Sequence, residues 1–287
     1  MEIANGMTFF NNLALAAVGH RRGGPAKVSV VASGFFGMMS GSTVANIMST
    51  GIFTIPMMVR TGMTRVQAAA IEATASNGGQ IAPPIMGATA FIMAEVLQVP
   101  YSEIVVAASI PAFLYFLTLL FKVDAMASKN NIKGLDRSEI PTIRQTLRDG
   151  WEILISLGVL MYLLFMTALN PGLCALIASA VIMAVYAIKI RFRFDLVELW
   201  NALVNLGREF GPLMLIGGAA GVIIGLLNST GFAFQLSLAL THLASAYGLM
   251  ALLILSALVA IILGMGMPTA AVYIVLVTVV SPTMIDL

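Results

Sequence analysis

The chain has 287 residues, of which 59% are hydrophobic and 10% charged, and its net charge is +2; the mean hydropathy is +0.97. A soluble domain carries about 25% charged residues, so this chain cannot cover a water-facing surface, and the bilayer is the solvent for most of it. No basic run with interleaved aromatics fits nucleic acid, and the single cysteine, Cys174, excludes a disulfide framework or thiolate metal site and reads as a small apolar helix residue.

The N-terminal stretch MEIANGMTFFNNLALAAVGHRRGGP has its basic residues after the apolar run, the reverse of a signal peptide, and reads as the interior of a longer protein. Residues 28–59 are almost uncharged and lie between two basic groups, Arg21, Arg22 and Lys27 before them and Arg60 and Arg65 after. A crossing takes about 20 apolar residues; each arm is shorter than that, and the tip Ser40-Gly41-Ser42 is polar. A re-entrant hairpin is expected. The alternative is two ordinary crossings, which would invert the topology of everything before them.

Residues 64–99 are apolar at both ends but interrupted by Ser76-Asn77-Gly78-Gly79-Gln80 and then Pro83-Pro84. Adjacent prolines remove backbone donors and paired glycines loosen a helix, so two half-helices with an unwound stretch beginning at Ser76 are expected. Such backbone at membrane depth must face protein or a watery cavity.

Segments 101–121, 151–169 and 171–188 are apolar enough to cross, and 211–227 is shorter, glycine-rich and uncharged. Asn170-Pro171-Gly172 allows only a helical hairpin between the second and third. Basic residues crowd 122–148 and recur at Lys189, Arg191 and Arg193, so the positive-inside rule puts both flanks of that hairpin in the cytoplasm. Counting back puts the group from Arg21 to Arg65 there too. Stretch 194–209 reads as an in-plane scaffold arm. Near the end the pattern recurs as an apolar arm at 249–263, a break at Gly264-Met265-Gly266-Met267-Pro268 and a second arm at 269–282. An offset of 226 residues pairs Thr43 with Thr269, Ala45 with Ala271 and Pro56 with Pro282. The later hairpin enters from the opposite side, as an inverted repeat requires.

A hairpin tip meeting a broken helix at mid-membrane makes an ion and substrate site, where oxygens hold a hard cation and half-helix N-termini favour an anion. Ser40, Ser42, Asn46, Thr50, Ser76 and Asn77 supply the oxygens, with Ser42 and Asn77 as the candidate sodium ligands, and Gly41, Gly78 and Gly79 let backbones approach. Glu72, one turn before Ser76, touches this site or carries a proton, or else is simply buried beside Arg65 or a hydroxyl. An intramembrane protease is the rival reading, from the GMMSG at 37–41. Its serine needs a base at similar depth, yet His20 adjoins Arg21 and Arg22 and His242 falls in the stretch placed outside, so no enzyme is expected. A channel would use symmetric rings or filters, and these breaks are asymmetric.

Three stretches, GGPAKVSVVASGFFGMMSGSTVANIMSTGIFTIPMM, EATASNGGQIAPPIMGATAFIMAE and LGMGMPTAAVYIVL, resemble the large membrane subunit of the TRAP transporters (tripartite ATP-independent periplasmic transporters), in particular the fused-permease branch that works with TAXI-type binding proteins. The resemblance covers nearly the whole chain. It implies an all-α polytopic inner-membrane protein, an inverted-repeat secondary transporter of the elevator type with re-entrant hairpins and broken helices. It further implies a sodium or proton gradient as driving force, no cofactor, a small carboxylate substrate, a periplasmic substrate-binding protein, and a small membrane subunit or fused N-terminal helical domain. The family's sites carry over onto Ser40-Gly41-Ser42, onto Ser76-Asn77-Gly78-Gly79 and onto the break that includes Gly264, Gly266 and Thr269. On this reading residues 1–122 form the first transport repeat, 123–193 a cytoplasmic loop and connecting hairpin, and 194–287 a second repeat. That repeat stops short of a matching broken helix expected near position 309, and the branch's N-terminal domain is also expected outside this stretch. The alternative is a sodium-coupled anion symporter of another class that needs no binding protein.

Overall fold

The computed structural model describes residues 6–167, 169–189, 196–265, 267 and 269–285, and among these every regular element is a helix. They divide into two compact units, Met1–Leu199 and Trp200–Leu287.

The first unit opens with α1 (Gly6–Val18), followed by α2 (Gly24–Ser40) and α3 (Thr43–Arg60). Only Gly41 and Ser42 separate the last two. Gly41 takes a left-handed φ of 62° and its N–H closes on Gly37 O, while Ser42 is extended and its Oγ accepts the Ala45 N–H. A side chain is disfavoured in the first conformation and a hydroxyl is favoured at the second, so glycine then serine makes a tight helical hairpin. α4 (Arg65–Gly79) starts at a capping box in which Thr64 and Gln67 satisfy each other's backbone N–H groups. Residues 80–87, which include Pro83 and Pro84, are not helical, and α5 (Ala88–Leu97) resumes after them. α6 (Tyr101–Lys129) then runs 29 residues with Pro111 inside.

The break differs from its expected position. Ser76, Asn77, Gly78 and Gly79 are the last turn of α4, and unwinding begins at Gln80. The two glycines serve close packing here, and the prolines, which cannot donate, end the helix.

One end of this unit gathers the basic residues. The N–H of Gly23 donates to Ile132 O at 3.1 Å and that of Leu135 to Gly19 O at 3.0 Å. Asp124 pairs with both Arg22 and Lys27, and Arg60 pairs with Glu139 at 3.0 Å. The turn before α2, the end of α3 and the loop after α6 therefore share an end. With 17 residues in α2, the hairpin tip lies about 25 Å away from it. Ala26, Val30, Met58, Ile71, Ala75 and Val123 join α2, α3, α4 and α6 in one apolar core.

A 3-10 turn (Arg137–Glu139) and α7 (Ile143–Asp149) lead to α8 (Trp151–Met166), which pairs with α9 (Pro171–Lys189) as a second hairpin. By length and composition α6 and α9 can each cross a membrane, and Arg137–Asp149 with α8 add a third span if the pair, bent by 58°, is taken together. The segment read as 151–169 is thus a shorter helix whose base is extended by α7.

α10 (Leu196–Ser229), most of which lies in the second unit, is one helix of 34 residues, so 196–209 is not a separate arm from 211–227, while 194 and 195 lie outside the described residues. A single proline deletes one rung of the hydrogen-bond ladder, and neighbouring rungs carry a helix past it, as at Pro56 in α3 and Pro111 in α6. α11 (Phe232–Gly264) is divided by non-helical Gly248, φ 80°, which sets off an apolar arm at Gly248–Gly264. α12 (Thr269–Ile285) packs back along α11. Its first residue, Thr269, is the position that the 226-residue offset pairs with Thr43, the first residue of α3.

Candidate functional site

The tip of the α2–α3 hairpin sits on the break after α4. A Cβ built on Gly41 would stand 2.9 Å from Gly87 Cα, and one on Gly79 would stand 2.6 Å from Gly37 Cα and 3.0 Å from Ser33 O. Real Cβ atoms do not approach backbone so closely, so only glycine permits these two crossings. The break folds on itself through the Gly87 N–H, which donates to Gln80 O at 2.8 Å. Tyr101, at the start of α6, stacks on Phe91 and donates to the carbonyl of Ile85, so carbonyls freed by the break are held by a side chain rather than by lipid. Gly78 faces the ring of Tyr115, whose hydroxyl donates to Thr74 O at 2.8 Å.

A polar set links tip and break. The Thr43 hydroxyl donates to Asn77 Oδ1 at 3.3 Å and accepts from Gln80 Nε2 at 2.5 Å. Ser40 and Asn77 are exposed, and Gly41 and Ser42 half-buried. Helices α3 and α5 both begin here, capped by Ser42 and Gly87. Each N-terminus leaves N–H groups without intrahelical acceptors and carries partial positive charge, a setting for an anion.

Deeper in the wall the expected residues turn another way. Asn46 is fully buried, its Nδ2 donating to Ser33 O at 2.9 Å and to Ser76 O at 3.5 Å. The hydroxyls of Thr50 and Ser76 face Glu72, joined by those of Ser29 at 2.7 Å, Ser33 at 3.0 Å and Thr54. The hydroxyls of Thr50 and Ser76 are thus turned to Glu72, whereas Ser42 and Asn77 lie at the tip and the end of α4. Glu72 lies beside hydroxyls and not beside Arg65, which is exposed. Ser29, Ser33, Thr43, Thr54 and Gln80 were not named as site residues from the sequence. Spacing could have found most of them: Ser29/Ser33, Asn46/Thr50/Thr54 and Glu72/Ser76 each repeat every four residues on an otherwise apolar helix, which is one face.

In the second unit Gly264 ends α11 and Thr269 opens α12, both exposed; Gly266 lies outside the described residues. Among the described residues no cluster of three or more His, Cys, Asp or Glu forms a metal site.

Apolar spans with a hairpin docked on a broken helix define an all-α membrane transporter. Residues 1–287 match the family described as "Tripartite ATP-independent periplasmic transporter, DctM component". The chain belongs to that family. It is 26% identical over 176 residues to the C4-dicarboxylate TRAP transporter large permease protein DctM of Pseudomonas aeruginosa, covering 61% of this chain and 40% of that one. The protein of the same name from Vibrio cholerae is 28% identical over 174 residues, 61% of this chain and 37% of that one. The 2,3-diketo-L-gulonate TRAP transporter large permease protein YiaN of Escherichia coli is 23% identical over 278 residues, 94% of this chain and 63% of that one. The chain thus spans less than two thirds of the length of each. All three are named as permeases and none as an enzyme.

Proposed function

We propose that this chain belongs to the permease subunit of a secondary transporter of the bacterial inner membrane, one that uses a cation gradient to import a small organic acid handed over by a periplasmic binding protein. The observation that carries the reading is the seat of the Gly41-Ser42 tip on the break at 80–87. It brings two helix N-termini, for a substrate carboxylate, beside the Ser42, Thr43, Asn77 and Gln80 side chains, where Ser42 and Asn77 offer oxygens to a coupling cation. The relatives named for a C4-dicarboxylate and for 2,3-diketo-L-gulonate act on organic acids, which suits the same class of substrate here.

The rest follows the TRAP scheme. A small membrane subunit or fused N-terminal helical domain, as in the TAXI-associated branch, anchors the permease. Residues 1–122 and 194–287 are the two inverted transport repeats joined by 123–193, and Gly264, Gly266 and Thr269 are the second repeat's ion- and substrate-binding residues. Elevator movement then carries the site across the bilayer.

Uptake by the full-length permease in proteoliposomes, with its binding protein outside and a sodium or a pH gradient imposed, tests this. Accumulation that needs both the binding protein and a cation gradient is expected. Accumulation without the binding protein would favour a symporter of another class, and none under any gradient would overturn transport.

A further inference from the structure

We propose that the basic end of the first unit carries a seat for an anionic phospholipid, its phosphate held by Arg65, Lys122 and Lys129 and an acyl chain laid along α6. This rests on the membrane character of the chain and not on the transport reading above. The acids at this end are few. Among the described residues, Asp124 takes both Arg22 and Lys27, and Glu139 takes Arg60; Asp136 lies in the loop after α6. Arg65, Lys122 and Lys129 are exposed and have no acidic partner among the described residues. Arg21, Lys133 and Arg137 are exposed as well, but they stand in turns and not on a helix that crosses.

Helix packing gathers the three cations. Thr74 O accepts the Tyr115 hydroxyl at 2.8 Å, which marks the seam between α4 and α6. α4 leaves the basic end and α6 returns to it, so the two run antiparallel. Arg65 lies nine residues before Thr74 and Lys122 seven after Tyr115, which puts the two within a turn of the same level. Ala68 and Val123, in one apolar core, agree with that register. Seven residues make two turns, so Lys122 shares the side of α6 that Tyr115 turns to α4, and Lys129 repeats the step. Asp124, two residues past Lys122, points to another side, where it meets Arg22 and Lys27.

Beside these cations the surface is apolar. Ile110, Leu114 and Phe121 are exposed and form one stripe of α6, about 16 Å long, that ends at Lys122. Val66, also exposed, adjoins Arg65. α6 is long and apolar enough to cross a membrane. About 20 residues fill the hydrocarbon core, so 101–121 occupies it and the two lysines reach the headgroup layer. Free phosphate would find the cations but leave the stripe bare, and a zwitterionic headgroup would set its own ammonium against them. An anionic phospholipid meets both demands: its phosphate oxygens accept from one guanidinium and two ammonium groups, and its chain covers the stripe. Held there, it ties the first turn of α4 to the last turns of α6.

Native mass spectrometry of the full-length permease in mild detergent tests this, with titrations of phosphatidylglycerol, of phosphatidylcholine with the same chains, and of inorganic phosphate. Phosphatidylglycerol should stay bound where phosphatidylcholine does not. Its apparent affinity should fall roughly fivefold in each of Arg65→Gln, Lys122→Gln and Lys129→Gln. Arg60→Gln, whose arginine is already held by Glu139, should leave it unchanged. Phosphatidylglycerol should also raise the melting transition of the parent and not of the triple variant. All four positions are exposed, and should one variant fail to fold, the others still decide. Equal retention of the two lipids, or an unchanged affinity in the three variants, would overturn the proposal. So would an equal loss in Arg60→Gln, which would reduce the effect to net charge. Displacement of the lipid by an equal concentration of inorganic phosphate would show that the α6 stripe contributes nothing, and would overturn it too.

Discussion

Two helical hairpins of the first unit are built on opposite plans. The α8–α9 hairpin is apolar along its length, and its few polar contacts fasten it to itself. Ser156 donates to Ala178 O at 3.1 Å, Lys189 pairs with buried Glu152 at 2.5 Å, and Asn170 Oδ1 accepts the Gly172 N–H at 2.8 Å in the turn. The α2–α3 hairpin points Ser29, Ser33, Asn46, Thr50 and Thr54 at a third helix and ends in a polar tip. The first plan suits a span that stays put, because lipid demands only that backbone groups be satisfied internally. The second costs more in buried polar groups, and these meet at its contact with α4.

The sharpest way to break this comparison is topological. In a chain whose native Cys174 is replaced by alanine, cysteines at Lys133 and Asn170 should react with an impermeant reagent from opposite sides, an all-or-none difference. A cysteine at Ser42 should not behave like the one at Asn170, because its hairpin returns to the basic end. Labelling of Lys133 and Asn170 from the same side would sink the assignment of α8 and α9 as a crossing pair.

Next in size is a glycine swap made once in each hairpin region. Gly79→Ala drives a Cβ into the backbone of α2 and should lower stability by about 1–3 kcal/mol, seen as an earlier melting transition of the full-length protein in detergent. Gly158→Ala in α8 meets nothing within 4 Å and should be neutral or stabilising by up to about 1 kcal/mol. Equal losses at both positions would erase the distinction.

Ser42→Ala and Asn77→Ala should weaken the apparent affinity for the driving cation by roughly tenfold, about 1.4 kcal/mol, with insertion unchanged. Uptake measured against a stepped cation gradient reads this. If neither variant moves the curve, the cation is held elsewhere, and the wall around Glu72 becomes the remaining candidate. The smallest effect belongs to Arg60→Ala. It should cost up to about 1 kcal/mol of stability, since Arg60 and Glu139 are 67% and 50% exposed and water screens the pair, and it should leave cation dependence untouched.

Much of the fold was legible because lipid is a strict solvent. Glycine and proline stand out against apolar helices, so Gly41-Ser42 and Pro83-Pro84 announced a hairpin and a break, and the basic residues marked the shared end. The start of the break was misjudged because Gly78 and Gly79 read as weakness in a single helix, whereas a neighbouring backbone turns them into close packing at Gly37. Likewise the sequence placed Thr50 and Ser76 among the oxygens of an ion and substrate site on residue type, and the structure turns both hydroxyls to Glu72. A hydroxyl serves an ion, a carbonyl or a carboxyl equally well, and only the neighbour it meets decides among them.

By itself, then, the sequence determined that this is a membrane protein of many helices, where its chain turns, and which stretches resemble the TRAP permeases. These depend on local composition, which acts residue by residue along one chain. The tertiary structure alone decided that Glu72 meets five hydroxyls from three helices, that Gly41 lies on Gly87, and that Asn46 bridges α2 and α4. Those contacts join residues up to 46 positions apart, and burial, not the residue's own chemistry, sets what a polar group must do there.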